Sequence, residues 1–272
     1  MPLIALVFAL VSAVLHALWN LLLARAPDVE SATAVALITA EVVFAPVAIV
    51  VWHVESGVWP WLLASGLLQL TYFALLATAY GRAPLSVVYP IARGGAPVVV
   101  LVVSALALGH ATNARQVVAV ALIVSGIVLV RGLRRPDAAG LLFGLTIACC
   151  IGAYTLIDKH GITYASPIPY LEMSMVLPTV AYASGVVRMK GAAAVRAAVR
   201  PPIVVAGLAT FAAYAFVLAA LSRAPAASVA AVRETSVVVA TALAAIVLKE
   251  NVTPWRFVGA CAVVAGIALI GA

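Results

Sequence analysis

Five charged side chains lie deep inside apolar stretches of this 272-residue chain. Arg93 and Arg233 each sit about ten residues into a run that opens with the tripeptide Arg-Ala-Pro, at 82–84 and 223–225. At a rise of 1.5 Å per residue, that is roughly 15 Å along a helix, near the middle of a hydrocarbon core about 30 Å thick. Glu41 and Glu172 are similarly deep in their own runs, and Glu234 adjoins Arg233. A charge at the centre of a membrane helix costs about 2.5–3.5 kcal/mol on insertion scales. These groups must therefore face one another, a watery cavity or a solute. Two uses follow. The carboxylates and guanidiniums could form structural ion pairs, one in each half of the chain. Alternatively, Arg93 or Arg233 could receive a carboxylate or phosphate, which the planar guanidinium fork matches bidentately. Glu41, Glu172 and Glu234 are the candidates for charge pairing or for carrying a coupled proton.

Polar and aromatic residues surround these charges at helical spacing. Ser86, Tyr89 and Arg93 share one face, with Pro90, Gly94, Gly95 and Pro97 beside them. Proline kinks a helix and frees backbone carbonyls, which suits an element lining a cavity. Ser12, His16 and Asn20 stack at intervals of four, next to Trp19. Gln69, Tyr72, Leu76 and Tyr80 form a stripe, Thr210, Phe211 and Tyr214 cluster, and Tyr154 stands apart in a later run. The candidate solute-binding set is thus Arg93, Tyr89, Arg233, Trp19, Asn20, His16, Tyr72, Tyr80, Tyr154 and Tyr214. The competing assignment for the aromatics is core packing or the interfacial belt, which also accounts for Trp52, Trp59, Trp61 and Trp255.

The elements that must hold these side chains are membrane helices. Hydrophobic residues make up 66% of the chain and charged residues 9%, against about half and a quarter in soluble domains. The mean hydropathy is +1.20. So few charges cannot cover a water-facing surface, which excludes a soluble enzyme, a nucleic-acid binder and a disordered protein. The runs do not alternate as transmembrane strands do. Gly, Pro and charge divide the sequence into ten apolar segments near 3–23, 32–52, 61–80, 84–107, 113–131, 138–158, 165–187, 201–221, 225–248 and 253–271. The longest connection falls around Arg188–Arg200. The first run lacks a basic leader and reads as a retained helix. The net charge of +7 belongs to the loops rather than to a nucleic-acid surface. Cys149, Cys150 and Cys261 fit neither a disulfide framework nor a zinc site. There is no H-E-x-x-H and no G-x-x-x-x-G-K-[ST], so no metal, cofactor, nucleotide or enzymatic role is expected.

The halves resemble each other. At an offset of 140, Arg93 matches Arg233, Val98 and Val99 match Val238 and Val239, and Gly126, Ile127 and Leu129 match Gly266, Ile267 and Leu269. At an offset of 135, Leu6, Phe8, Leu10 and Ala13 match Leu141, Phe143, Leu145 and Ala148, and Trp19 matches Tyr154. Glu41 precedes Pro46 much as Glu172 precedes Pro178. These matches predict repeats over 1–133 and 134–272 within one compact membrane domain. Because five spans is an odd number, the second copy is inverted. Inverted repeats place a solute site near the midplane between them and permit alternating access. The expected fold is therefore an all-α integral membrane protein of ten transmembrane helices in two inverted five-helix repeats. Small residues at spacing four, Gly140/Gly144 and Ala262/Gly266, allow close helix contact, within the chain or between two copies.

The motifs HALWN (16–20), YPIARGGAP (89–97), LKENVTPWRFVGA (248–260) and AGIALI (265–270) resemble the drug/metabolite transporter superfamily, and within it the EamA-type ten-helix transporters. That resemblance covers the whole chain in two copies. It implies a cytoplasmic-membrane transporter of small organic solutes, often an exporter of amino acids or related metabolites. The first copy departs from the pattern, with His110 standing where the second has Glu250.

Lys and Arg concentrate in the odd-numbered loops, eleven against three, which places those loops in the cytoplasm and both termini outside. Thr253 and Pro254 mark a helix start, with Glu250 structural beside them. The expectation is a multi-pass protein of a bacterial inner membrane, a monomer or homodimer with the bilayer and a small-molecule substrate as partners. It would be a secondary transporter of small metabolites, exporting amino acids or other anionic-headed solutes through a midplane cavity. The alternatives are a phosphonate or organophosphate carrier of the same fold, or a channel-like or structural membrane component.

Overall fold

In the computed structural model, residues 1–82, 85–106, 113–131, 138–236, 238–239, 242 and 253–271 are described. Among them the chain is helical: α1 (Leu3–Ala24), α2 (Val29–Val50), α3 (Trp59–Arg82), α4 (Leu85–Leu106), α5 (Ala114–Arg131), α6 (Ala138–Gly161), α7 (Pro167–Lys190), α8 (Ala192–Ala197), α9 (Pro201–Leu221), α10 (Ala226–Arg233) and α11 (Pro254–Gly271). Among the described residues, five stretches, Leu3–Leu23, Val29–Val50, Ser56–Leu76, Ala138–Gly161 and Pro201–Leu221, are long and apolar enough to cross a membrane.

Local chemistry sets the helix ends. Asp28 caps α2, accepting from the Ser31 amide at 3.3 Å and the Ser31 hydroxyl at 2.7 Å, which satisfies an otherwise orphaned N–H. Pro167 opens α7, Pro201 and Pro202 open α9, and Pro254 opens α11 after Thr253. Proline lacks the N–H that has no partner there in any case. Gly191 ends α7 at φ +83°, a left-handed conformation that costs glycine nothing. It redirects the chain into α8, so the long connection expected at 188–200 contains a short helix.

Side-chain size, rather than polarity, sets the faces of α1. Ala5, Ala9, Ala13 and Ala17 are buried at intervals of four, while Leu3, Ile4, Val7, Val11 and Val14 point outward. Against lipid tails, large apolar groups gain little by turning inward, whereas small ones let backbones approach. Gly207 of α9 lies so close to Ala36 of α2 that any Cβ would strike its carbonyl. A Cβ on Gly126 would meet Gly259 O at 2.5 Å, and one on Gly266 would meet Ala119 O at 2.8 Å, so these two glycines draw α5 and α11 together. Gly144 instead seats α6 against Val88 and Ile91 of α4.

The packing pattern is preserved when the repeats are exchanged. α1 packs on α9 as α6 packs on α3; α2 on α9 as α7 on α3; α4 on α6 as α10 on α1. The equivalent pairs α2–α7 and α5–α11 meet each other. Two five-helix repeats of opposite orientation thus interdigitate, and most of the principal contacts cross between them. At one end Val54 bridges Ala165: the Glu55 amide donates to Tyr164 O at 2.8 Å and the Ser166 amide to His53 O at 2.9 Å. At the other end Lys190 pairs with Asp28 at 2.7 Å and with Glu30 at 2.6 Å.

Candidate functional site

Between the repeats lies a cavity with about 940 Å³ of empty space, its open part included. On α1 its lining runs from Ser12 through His16 and Trp19 to Leu23, and on α2 from Glu41 back to Thr33. The cavity thus extends from mid-membrane toward the end where α1 stops and α2 begins. α3 adds Gln69, Tyr72 and Phe73, α6 adds Tyr154, and α9 adds Thr210, Phe211, Tyr214 and Val217.

Arg93 and Arg233 both reach this cavity although each is buried, 5% and 6% exposed. Arg93 Nη1 donates to Glu234 Oε1 at 3.1 Å, and Arg233 Nε lies 3.9 Å from the same oxygen. One carboxylate thus serves two guanidiniums. Arg233 Nη2 also donates to the Tyr154 hydroxyl at 3.3 Å, and its guanidinium sits 5.4 Å from the centre of the Tyr214 ring. Arg93 meets His16 Nε2. The other His16 ring nitrogen accepts from Trp19 Nε1 at 3.2 Å.

The charge pairing differs from one ion pair within each half. Arg93 of the first repeat pairs with Glu234 of the second, because α4 and α10 face each other across the repeat boundary. Glu41 and Glu172 form no ion pair with Lys, Arg or His among the described residues.

Of the sequence candidates, Arg93, Arg233, His16, Trp19, Tyr72, Tyr154, Tyr214 and Glu41 line the cavity. Tyr72, Tyr154 and Tyr214 form a continuous edge-to-face row, with ring centres 6.4 and 6.1 Å apart. Asn20 is absent from the lining; its amide donates to His16 O at 2.7 Å and stays on its own helix. Glu172 and Glu234 are buried and absent from the lining, and Glu234 holds Arg93. The side chains of Tyr80 and Tyr89 lie outside the described residues, as do His110, Glu250 and 243–248 of the ninth segment. Trp61 packs on His160, with ring centres 4.2 Å apart. Trp52, Trp59 and Trp255 are exposed at helix ends. Among the described residues no group of three or more His, Cys, Asp or Glu is placed to hold a metal ion.

Sequence reasoning missed Asp158. It is fully buried, accepting from Tyr170 OH at 2.9 Å and from Tyr214 OH. The adjacent Lys159 donates to the carbonyls of Leu221 and Ala224 and so caps the end of α9. The available signal was Ser166-Pro167, which begins the next helix and leaves room for α6 to continue past 158.

The sequence pattern of the EamA-like transporter family matches the chain twice, over residues 3–132 and 138–272. The chain belongs to this family. This EamA-like protein is accordingly a multi-pass membrane transporter of small solutes. No curated protein matches it. One solved structure, described only as "Crystal structure of protein", shares 16% identity and a TM-score of 0.77, covering 97% of this chain and 94% of that one. At that identity the likeness concerns the fold alone.

Proposed function

We propose that this EamA-like protein is a secondary transporter that exports amino acids or related anionic-headed metabolites by alternating access. Its setting would be a bacterial inner membrane, with both termini outside, acting as a monomer or homodimer. The single observation that supports this reading is the buried cluster of Arg93, Glu234 and Arg233 on the wall of a cavity between inverted repeats. Two guanidiniums gathered around the Glu234 carboxylate stand where water and solute reach them. A carboxylate entering the cavity would complete the cluster bidentately. The row Tyr72–Tyr154–Tyr214 offers aromatic faces and hydroxyls for the rest of a small amphipathic solute. Energy would come from solute or ion gradients, since the sequence carries no nucleotide-binding motif.

Counterflow in proteoliposomes tests this reading. A carrier loaded with unlabelled amino acid should accumulate the labelled one transiently and saturate with concentration. Arg93→Ala and Arg233→Ala should each abolish it in normally inserted protein. Undiminished counterflow in both variants refutes the reading, and non-saturating flux without exchange would mark a channel. Two arginines also suit a dianion, so a phosphonate carrier is the second reading. It is favoured if methylphosphonate, rather than any amino acid, drives exchange.

A further inference from the structure

We propose that a second cavity, between the end of α1 and the start of α9, binds the headgroup of an anionic phospholipid. This cavity shares no lining residue with the solute cavity, and the inference does not depend on the transporter reading. It holds about 960 Å³ of empty space, its open part included. Arg25, which ends α1, and Arg200, which precedes α9, both line it. α1 and α9 pack together, and Leu3–Leu23 and Pro201–Leu221 are both apolar enough to cross a membrane. Arg25 and Arg200 therefore stand where two neighbouring spans leave the hydrocarbon, the level of lipid phosphates. Both are exposed, and neither forms an ion pair among the described residues. Asp28, also on the lining, is taken up by Lys190 at 2.7 Å and by the Ser31 hydroxyl at 2.7 Å.

Apart from these three residues the lining is wholly apolar. Ala32 and Ile203 are buried beneath it. Ala194, Ala197 and Ala198, in and just after α8, present only methyl groups to it, so the space stays open. Such walls separate a lipid from a dissolved anion. A free phosphate would give up water against apolar surface and gain only the arginines. A phospholipid brings its own apolar part to those walls while its phosphate meets the two guanidinium forks. A zwitterionic headgroup carries a cation that the arginines repel, so a headgroup of net negative charge is preferred. Leu22 of this cavity adjoins Leu23 of the solute cavity, and Ala32 adjoins Thr33. The bound lipid thus stands beside the end of the solute cavity where α1 stops and α2 begins.

Thermal shift of the purified full chain in detergent tests the site with three probes: phosphatidylglycerol, phosphatidylcholine of the same acyl chains, and inorganic phosphate. Phosphatidylglycerol should raise the midpoint at a concentration about tenfold or more below that needed for phosphatidylcholine. Inorganic phosphate at matched concentration should not raise it. Arg25→Gln and Arg200→Gln should each shrink the preference for phosphatidylglycerol, and together they should erase it. Arg196→Gln removes the same charge from the same end of the molecule, but Arg196 is off the lining. That variant should keep the full preference. The single variants keep the test open if the double one folds poorly, since a preference undiminished in both overturns the proposal. It is also overturned if the two lipids stabilise equally, or if Arg196→Gln loses as much as Arg25→Gln, the mark of diffuse surface charge. A shift by inorganic phosphate equal to that by the lipid would assign the site to a free anion and overturn the lipid assignment.

Discussion

Arg93 and Glu234 stand 3.1 Å apart although 141 residues separate them in sequence. Their bond joins α4 of one repeat to the end of α10 in the other, and both side chains are almost wholly withdrawn from solvent. Breaking a buried pair by removing one partner costs about 3–5 kcal/mol, because the survivor is left uncompensated. Glu234→Ala should therefore lower thermal stability by an amount of that order in a detergent melt. Arg93→Lys keeps the charge but loses the fork. It should preserve most of the stability while sharply reducing solute exchange, so the two variants separate holding the fold from holding the solute.

Asp158 is held by hydroxyls from two other helices, α7 and α9. A hydrogen bond to a charged group contributes about 1.5–3 kcal/mol. Tyr170→Phe should lose about that much stability in a melt, and Asp158→Leu, which strands both hydroxyls, should lose more. An unchanged midpoint in Tyr170→Phe would show that the bond contributes nothing to stability.

The contact between α5 and α11 depends on bare backbone. Gly126→Ala must push its methyl into the carbonyl of Gly259 and the amide of Val263, neither of which can rotate away. Overpacking of this kind costs about 1–3 kcal/mol. Gly185, with nothing within 4 Å of a built Cβ, is the matched control, and Gly185→Ala should melt no lower than wild type.

Lys190 and Ser31 hold the Asp28 carboxyl down to about 2, from an ordinary value of 3.8. A depressed carboxyl stabilises the folded protein above its unfolded value, and that contribution is lost as pH falls through the folded one. The contribution of this exposed bridge should therefore be complete at pH 5 and disappear between about pH 4 and pH 2. Asp28→Asn should narrow the gap in midpoint between those limits; an unaltered gap would assign the acid sensitivity elsewhere.

Much of this architecture is legible in the residues themselves. Apolar runs punctuated by Pro and Gly give the helices, because each backbone polar group must be satisfied within its own segment in lipid. The Arg-Ala-Pro pairs and the Arg93/Arg233 match give the repeat, and depth alone brings both arginines to the cavity. Partner choice was not legible. Glu41 is as deep as Arg93 and in the same half, yet Arg93 pairs with Glu234, a choice decided by the crossing of α4 and α10. Asp158 was hidden by its place beside Lys159 near a helix end, where a charged pair ordinarily means water. Asn20 shows the converse: its spacing aligned it with His16, but its amide found a carbonyl one turn back and never reached the cavity.

The exchange of partners between repeats also constrains how the molecule is made. When the first five helices have entered the bilayer, the Glu234 partner of Arg93 has yet to be made. Glu234 follows 141 residues later, roughly 7–30 s at ordinary rates of synthesis. During that interval the nascent half lacks this partner, and α1 presents an alanine-lined face on which α9 later packs. Neither half is a finished object that could be cut free and kept, and biogenesis must shelter the first until the second arrives.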